Sequence, residues 1–301
     1  MNHIPGIVKL MHQAKEKLSP DLLIIILGPT ASGKTKLAVE LAIQMDGEII
    51  SADSRQVYRN MDIGTGKDLE EYRNVPYHLI NIKNPGDKYN ADLFRTDFFQ
   101  AYDNIVSRQK RSILCGGSGS YIQAILQERP YAQIPKDKDL QQKLSYLSKE
   151  ELLAQIQEIG VPTNLKIDFD SHKRLVRALE ILLYLQHHTE TLHPQRVVHN
   201  YLVFGLCPPL EQRRASITYR LRERFQRGLI EEVKSLIKMG LNYDDLIYYG
   251  LEYKYVALYL QGLLTYDQLF DKLCTEIHRY AKRQMTYFRK MEKDGVKIHW
   301  L

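Results

Sequence analysis

The chain has 301 residues, of which 44% are hydrophobic and 26% charged, and its formal net charge is +6. This apolar content excludes intrinsic disorder, and 17 Gly and 11 Pro without a repeating period exclude a collagen-like chain. The length suits one large α/β domain or a core with a smaller domain, and the modest basic excess favours an anionic partner without identifying it.

Nothing in the sequence indicates export or membrane insertion. The longest apolar run, residues 22–27, is far short of the roughly 18 residues that a membrane helix needs. Residues 1–20 lack the apolar region of a secretory signal and are expected to form a surface helix or a frayed tail. The three cysteines form no C-x-x-C pair, which argues against structural zinc. We expect a cytoplasmic protein without a membrane or an obligate protein partner.

Strand and helix patterns alternate along the chain. Apolar runs that end in Gly, Pro or polar residues are typical of buried parallel strands, and they occupy residues 22–27, 48–52, 112–115 and 201–206. Residues 296–301 are a candidate terminal strand. Helical spacing of apolar residues follows after Lys34, over 95–108 and over 121–126. This order predicts an α/β fold with a parallel sheet and helices on both faces.

The stretch 129–200 interrupts this alternation. It contains the helical segments 141–159 and 173–186 but no clear strand. We therefore predict an inserted all-helical subdomain at 129–200, with an α/β core formed by 1–128 and 201–301. After Pro209 the chain is predicted to be helical to about residue 293.

A phosphate-binding motif follows the first strand. Residues 28–35 match G-x-x-x-x-G-K-[ST], in which glycines let backbone N–H groups turn inward around phosphate oxygens. Lys34 would bring a charge to the terminal phosphates and Thr35 a hydroxyl to Mg²⁺. The following helix directs its positive dipole end at the anion. The predicted diphosphate-binding residues are Gly28, Pro29, Thr30, Ala31, Ser32, Gly33, Lys34 and Thr35.

The position of this motif between a buried strand and an amphipathic helix makes the predicted sheet P-loop NTPase-like. The alternative is a Gly-rich turn with an incidental lysine. The motif specifies a bound di- or triphosphate but not the molecule that carries it.

Asp53 follows the second predicted strand, at the sheet edge where ligands bind in open parallel sheets. A carboxylate there can hold Mg²⁺ through water or act as a general base. The alternative is an N-cap for the turn at 54–58. The sequence contains no N-K-x-D guanine-reading motif, which argues against a GTPase.

Several segments together resemble the tRNA isopentenyltransferase family, that is, the bacterial tRNA dimethylallyltransferases. They read D-S-R-Q-V-Y at 53–58, M-D-I-G-T-G-K at 61–67, G-G-S-G-S-Y at 116–121, K-R-L-V-R-A-L-E at 173–180, Y-K at 253–254 and A-K-R-Q-M-T-Y-F-R at 281–289. With the phosphate loop, the matches cover nearly the whole chain. D-S-R-Q-V-Y and A-K-R-Q are specific to the family, whereas the phosphate loop alone is not.

The resemblance implies that dimethylallyl diphosphate occupies the phosphate loop and that its prenyl group passes to N6 of adenosine 37 in a tRNA anticodon loop. It implies that Asp53 accepts the N6 proton, Thr30 bonds the bridging oxygen of the leaving group and Arg224 holds the diphosphate. It also implies a tRNA-binding set, which comprises Asp53, Ser54, Arg55, Gln56, Ser118, Lys173, Arg174, Arg177, Tyr253, Lys254, Lys282, Arg283 and Gln284.

The residue types fit this chemistry. The exocyclic N6 is a poor nucleophile because its lone pair is delocalised, so prenyl transfer needs both a base and stabilisation of the departing diphosphate. Loop amides, Lys34, Mg²⁺ at Thr35 and an arginine would supply the stabilisation, and a carboxylate the base. The target base must also leave its stack.

Two helices are basic. Arg213, Arg220, Arg224 and Arg227 recur at helical spacing, and so do Arg279, Lys282, Arg283 and Arg289. Such surfaces suit phosphate contacts, although a solvated helix face is the ordinary alternative for charged runs.

Four positions depart from the family pattern. Ser118 replaces a usual Thr, Gly66 a usual Ala, Tyr287 a usual Trp, and Glu252 a usual Gly. Glu252 is the least conservative change, because it places a carboxylate beside a supposed RNA-contacting loop.

Three other functions remain open. They are a P-loop kinase for a small molecule, an adenylate isopentenyltransferase acting on free nucleotides, and an RNA-binding module with a vestigial loop. The A-K-R-Q helix and the basic insert argue against the first two, and intact Lys34, Thr35 and Asp53 argue against the third.

Overall fold

The computed structural model describes residues 6–7, 19–128, 130–163, 165, 167–188 and 194–301. These divide into two compact units: Met1–Leu126 with Val198–Leu301, and Gln127–Val197. The limits lie close to the boundaries that the sequence predicts for a core and an insert. The predicted surface helix or tail at 1–20 lies almost entirely outside the described residues.

The first unit is built on a six-stranded, all-parallel sheet with the order β3-β2-β4-β1-β5-β6. Its strands are β1 (Leu23–Leu27), β2 (Gly47–Ser51), β3 (Tyr77–His78), β4 (Arg111–Gly116), β5 (Tyr201–Gly205) and β6 (Ile298–Trp300). The predicted parallel sheet is confirmed. β3 is a correction, because two residues at a sheet edge are too few to show a strand pattern.

The helices of the first unit are α1 (Lys34–Met45), α2 (Ala91–Ser107) and α3 (Gly119–Leu126) before the second unit, and α7 (Leu210–Gln226), α8 (Leu229–Lys238), α9 (Tyr243–Tyr248), α10 (Leu251–Leu260) and α11 (Tyr266–Lys293) after it. A 3₁₀ turn covers Leu69–Tyr72. The sequence predicts a later start for α2, at Arg95. The helix begins earlier because the side chain of Asn90 accepts hydrogen bonds from the N–H groups of Asp92 and Leu93.

Helices cover both faces of the sheet, as the sequence predicts. Alternate residues of β1 point into different cores: Leu23 and Ile25 into one, Ile24 and Ile26 into the other. The apolar face of α1 packs on the second core, whereas α2, α3 and the C-terminal helices pack on the first. This double coverage explains why β1 reads as a continuous apolar run.

The second unit is described by itself. Its helices are α4 (Lys138–Ser145), α5 (Lys149–Ile159) and α6 (His172–His187), and a 3₁₀ turn covers Pro130–Gln133. The predicted segment 141–159 is two helices, because Ser148 and Glu151 form a capping box that starts α5. Leu152 and Leu179 lie in a core of the unit's own.

Within the part of the chain that the structure describes, no helix is both long and apolar enough to cross a membrane.

A buried carboxylate near the start of β2 binds the residue that follows α2 and a residue of β3. Glu48 of β2 is 4% exposed; Arg108 donates to both of its oxygens, from Nη2 at 2.8 Å to Oε2, and His78 Nε2 lies 2.7 Å from Oε2. The Arg108 hydrogen bonds lower the pKa of Glu48 to about 2, although burial opposes the shift.

Glu48→Gln is expected to lower the free energy of unfolding at pH 7 by about 2 kcal/mol, the range for hydrogen bonds to a charged group. A carboxylate whose pKa is depressed by folding stabilises the protein above its unfolded pKa of 4.5. The difference between wild type and variant should therefore shrink as the pH falls from about 4.5 towards 2. Urea unfolding across this range measures it, with Glu40→Gln of α1 as the control. A difference that stays constant with pH would contradict the assignment.

Candidate active site

The phosphate loop joins β1 to α1 at the carboxyl edge of the sheet. Gly33 adopts φ +80°, a conformation that favours glycine, directly before α1 begins at Lys34. The Lys34 ammonium donates to the Pro29 carbonyl at 3.3 Å. Burial lowers the pKa of Lys34, although nearby Asp53 opposes this shift. The loop therefore has the strand–turn–helix geometry that the motif predicts, with the N-terminus of a helix at its end.

Gln284 of α11 fastens this loop to the next one. Its Oε1 accepts from Thr30 N–H at 2.8 Å, and its Nε2 donates to the Gly117 carbonyl at 3.0 Å. The residue is 7% exposed. Both ends of its amide are thus bonded inside the protein, and the implied contact of Gln284 with tRNA stays a prediction.

Asp53 both caps a turn and lines a cavity. Its Oδ1 accepts from the N–H groups of Arg55 at 2.8 Å and Gln56 at 3.4 Å. Among the described residues, Oδ2 has no hydrogen-bond partner. The sequence offers two interpretations of Asp53, a cap for the turn and a general base or Mg²⁺ ligand. They are compatible, because Oδ1 caps the turn while Oδ2 can accept a proton or bind a metal ion.

The cavity has a volume of about 380 Å³. The phosphate loop contributes Thr30, Lys34 and Thr35 to its lining. The polar side chains that also line it are Asp53, Ser54, Arg55, Gln56, Thr65, Arg220, Arg224, Glu252, Lys254, Arg283 and Gln284. A third part of the lining is apolar or aromatic and includes Tyr72, Cys115, Ile247, Tyr249, Leu251, Ile277 and Tyr280. One cavity thus joins the phosphate loop, a carboxylate and apolar side chains.

Arg224 is fixed to two acceptors within this cavity. Its Nη1 donates to Glu252 Oε1 at 2.6 Å and, more weakly, to the Gly64 carbonyl at 3.4 Å. Both bonds use Nη1, and no described residue accepts a hydrogen bond from Nη2 or Nε. Burial raises the pKa of Glu252, whereas Arg224 opposes that shift.

Glu252 itself is a correction. The sequence places it beside an RNA-contacting loop, but it lies in the first turn of α10 and lines the cavity. Its partner there is the arginine implied for the diphosphate.

Several implied tRNA residues line this cavity or lie in the same unit. Ser118 Oγ accepts from Ser54 N–H at 3.2 Å, and Gln56 Nε2 donates to the Gly66 carbonyl at 3.1 Å. Arg55 stacks over the Tyr248 ring, with its Cζ 4.9 Å from the centroid. The first unit also contains Lys254, Lys282 and Arg283, and the side chains of Lys282 and Arg283 are exposed.

Tyr253 is buried in the first unit. The side chain is 1% exposed, and its hydroxyl donates to Glu232 at 2.8 Å. The tRNA contact that the resemblance implies for Tyr253 stays a prediction.

The remaining implied tRNA residues lie on α6 of the second unit. Arg177 is held inside that unit, where it donates to the Ile134 carbonyl at 2.6 Å and to Glu180 at 2.5 Å. Arg174 pairs with Asp168, and Lys173 is exposed. Their contacts with tRNA stay predictions.

The donor set of the cavity fits Mg²⁺ held mainly by a ligand. Within the described ranges, no three His, Cys, Asp or Glu side chains converge as a metal site. The Thr35 hydroxyl and the Asp53 carboxylate line the same cavity. Mg²⁺ usually takes one or two such oxygens and completes its shell with phosphates and waters.

Sequence reasoning missed part of the lining. Arg220, which pairs with Asp68, was placed only on a basic helix face. Its spacing of four residues from Arg224 was the available signal. The apolar wall of Ile247, Leu251 and Ile277 follows no motif and could not be found in this way.

Known proteins resemble the chain over most of its length. The IPP transferase family model matches residues 56–291. The chain is 46% identical over 283 residues to tRNA dimethylallyltransferase 2 of Phocaeicola vulgatus, covering 93% of this chain and 92% of the relative. It is 48% identical over 283 residues to tRNA dimethylallyltransferase 1 of Porphyromonas gingivalis, covering 93% of each.

Solved structures agree. The full-length tRNA isopentenylpyrophosphate transferase of Bacillus halodurans has a TM-score of 0.69 and 32% identity, over 93% of this chain and 89% of that chain. A eukaryotic dimethylallyltransferase acting on tRNA has a TM-score of 0.73 and 22% identity, over 92% and 73%. The second likeness supports the fold alone.

Gln284→Leu is expected to weaken binding of inorganic diphosphate, because it frees the loop N–H of Thr30 and leaves the Gly117 carbonyl unpaired. The same loss should lower the free energy of unfolding by about 1–3 kcal/mol. Calorimetry and urea unfolding measure the two effects. Gln212→Leu, at an exposed position of α7, serves as the control. Unchanged diphosphate binding in the Gln284 variant would show that this anchor is not needed.

Proposed function

The chain belongs to the IPP transferase family, and from that premise we propose that it transfers the dimethylallyl group of dimethylallyl diphosphate to N6 of adenosine 37 in tRNA anticodon loops and releases diphosphate. The observation that carries the proposal is the single cavity in which the phosphate loop, Arg224 and Asp53 meet beside an apolar wall. A kinase would need the first of these features but not the prenyl-sized apolar wall.

The leaving group is stabilised by charge and by aligned amides. Negative charge grows on the bridging oxygen as its bond to the dimethylallyl carbon breaks, so donors fixed before the reaction lower the barrier. Lys34 and Arg224 would supply cationic donors, and Thr30, which lines the same cavity, would bond the bridging oxygen through its hydroxyl. When bound at Thr35, Mg²⁺ would neutralise further charge on the diphosphate oxygens.

The acceptor needs a base. As the N6–carbon bond forms, the amino group becomes more acidic, and the Asp53 carboxylate takes one of its protons. The bonds balance: one C–O bond breaks, one N–C bond forms, the proton goes to Asp53 and diphosphate departs. Ile247, Leu251 and Ile277 line the cavity and would pack against the prenyl group.

Incubation with labelled dimethylallyl diphosphate and unmodified tRNA, with ATP as a competing donor, tests the proposal. Label in the tRNA supports it. Phosphate transfer from ATP to a small molecule would support a kinase, and label in free adenine nucleotides but not in tRNA would support an adenylate isopentenyltransferase.

Asp53→Asn is expected to lower kcat by at least about 100-fold, the range for loss of a general base, while tRNA affinity changes little. The amide keeps an oxygen for the turn N–H groups of Arg55 and Gln56, so the local fold is preserved. Single-turnover transfer and tRNA binding by filter retention separate the two effects. Turnover near that of wild type would disprove the base assignment.

Lys282→Ala should weaken tRNA binding at every sequence and reduce the slope of log K against log salt by about 1, because one phosphate contact releases about one counterion. Lys272→Ala, at an exposed lysine ten residues earlier on the same helix, is the matched control. An unchanged slope would leave Lys282 on a solvated helix face.

A further inference from the structure

Glu232 of α8 holds a segment of the cavity wall, although it does not line the cavity. Its Oε2 accepts from the backbone N–H groups of Asp62 at 2.8 Å and Ile63 at 2.7 Å. Its Oε1 accepts from Gly64 N–H at 2.9 Å and from the Tyr253 hydroxyl at 2.8 Å. Four donors fill the acceptor sites of one carboxylate.

The first segment that Glu232 holds is the backbone of residues 62–64, which forms an anion site. Three successive N–H groups that converge on one anion form a nest, and here the anion is a side chain of the protein itself. The same loop is fixed again at its end, where buried Lys67 donates to the Tyr58 carbonyl at 2.5 Å and to Asn81 at 2.6 Å. The loop at 62–67 is therefore held at two points.

The second segment that Glu232 holds is α10, whose Tyr253 side chain packs against the loop and donates to Glu232. A Cβ added at Gly64 would lie 2.6 Å from Cζ of the Tyr253 ring. Glycine at this position thus lets the ring pack on the loop backbone, and Glu232 joins the loop to α10.

Both segments carry an acceptor of Arg224. The loop supplies the Gly64 carbonyl, and the residue next to Tyr253 supplies the Glu252 carboxylate. Hydrogen bonds to charged groups are among the stronger polar contacts in proteins, so a carboxylate with four of them can fix both segments.

We propose that Glu232 is a positioning residue for Arg224: by joining the loop to α10, it fixes the two acceptors that orient the guanidinium, and so sets the affinity for the diphosphate of the donor. This inference rests on the proposed function. Glu232 contacts no substrate and acts only through the backbone segments that it holds.

Glu232→Gln tests this role. The amide keeps one acceptor oxygen but turns an NH₂ group towards N–H donors, so about half of the bonds are lost. We expect the Kd and KM for dimethylallyl diphosphate to rise about tenfold, comparable to one hydrogen bond to a charged group, while the KM for tRNA stays nearly constant. The matched control is Glu231→Gln on the same helix, whose side chain is 68% exposed.

A double-mutant cycle separates positioning from a merely structural role. If Glu232 acts through Arg224, adding Glu232→Gln to Arg224→Ala raises the donor Kd no further. Additive effects of the two changes, or a donor Kd in Glu232→Gln equal to that of the Glu231→Gln control, would overturn the proposal.

A second variant and a wild-type measurement cover the remaining outcomes. If Glu232→Gln does not fold, Tyr253→Phe removes one of the four donors and should raise the donor Kd about threefold, but not in the Arg224→Ala background; an unchanged Kd overturns the proposal. If wild type binds dimethylallyl diphosphate without modifying tRNA, the proposed function fails, and the Kd comparison still decides the role of Glu232.

Discussion

The candidate site depends on the turn between β1 and α1. Gly33 takes a left-handed conformation at the start of the helix, and this conformation leads the chain from the turn into α1. A helix N-terminus favours negative charge, so the turn is the part of the site that suits an anion. β1 lies beside β4, which lies beside β2, and all three strands run the same way. The loops that follow them therefore open at one edge, and strand order brings Asp53 and Ser118 to the phosphate loop.

Two of the arginines that line the cavity are paired with carboxylates. Arg220 pairs with Asp68, and Arg224 pairs with Glu252. An unpaired guanidinium or carboxylate taken out of water is costly, so each partner offsets the cost of burying the other and fixes its direction. The Glu232 carboxylate contributes to this arrangement indirectly. It accepts from the Gly64 N–H group, and the Gly64 carbonyl in turn accepts from Arg224. The cavity is thus organised before an anion arrives.

Much of the fold could be predicted because its signals are local. β1 is a continuous apolar run, β4 and β5 contain shorter apolar runs that end in glycine, and α1 has an apolar face. The errors also have local causes. β3 is only two residues long, and a cap at Ser148 divides a helical pattern that reads as continuous. Side-chain oxygens that satisfy helix N–H groups move a boundary without changing the apolar period.

The sequence by itself determined the phosphate loop, Asp53 and the basic face of α11, because each is a pattern of near neighbours along the chain. Only the tertiary structure decided that Glu252 holds Arg224, that Glu232 binds the loop at 62–64 and that Gln284 anchors Thr30. In the sequence, Arg224 and Glu252 lie 28 residues apart. Asp62 and Glu232 lie 170 residues apart, and Thr30 and Gln284 lie 254 residues apart. Hydrogen bonds across such separations leave no periodic trace in a single sequence, since their geometry exists only after the strands and helices have packed.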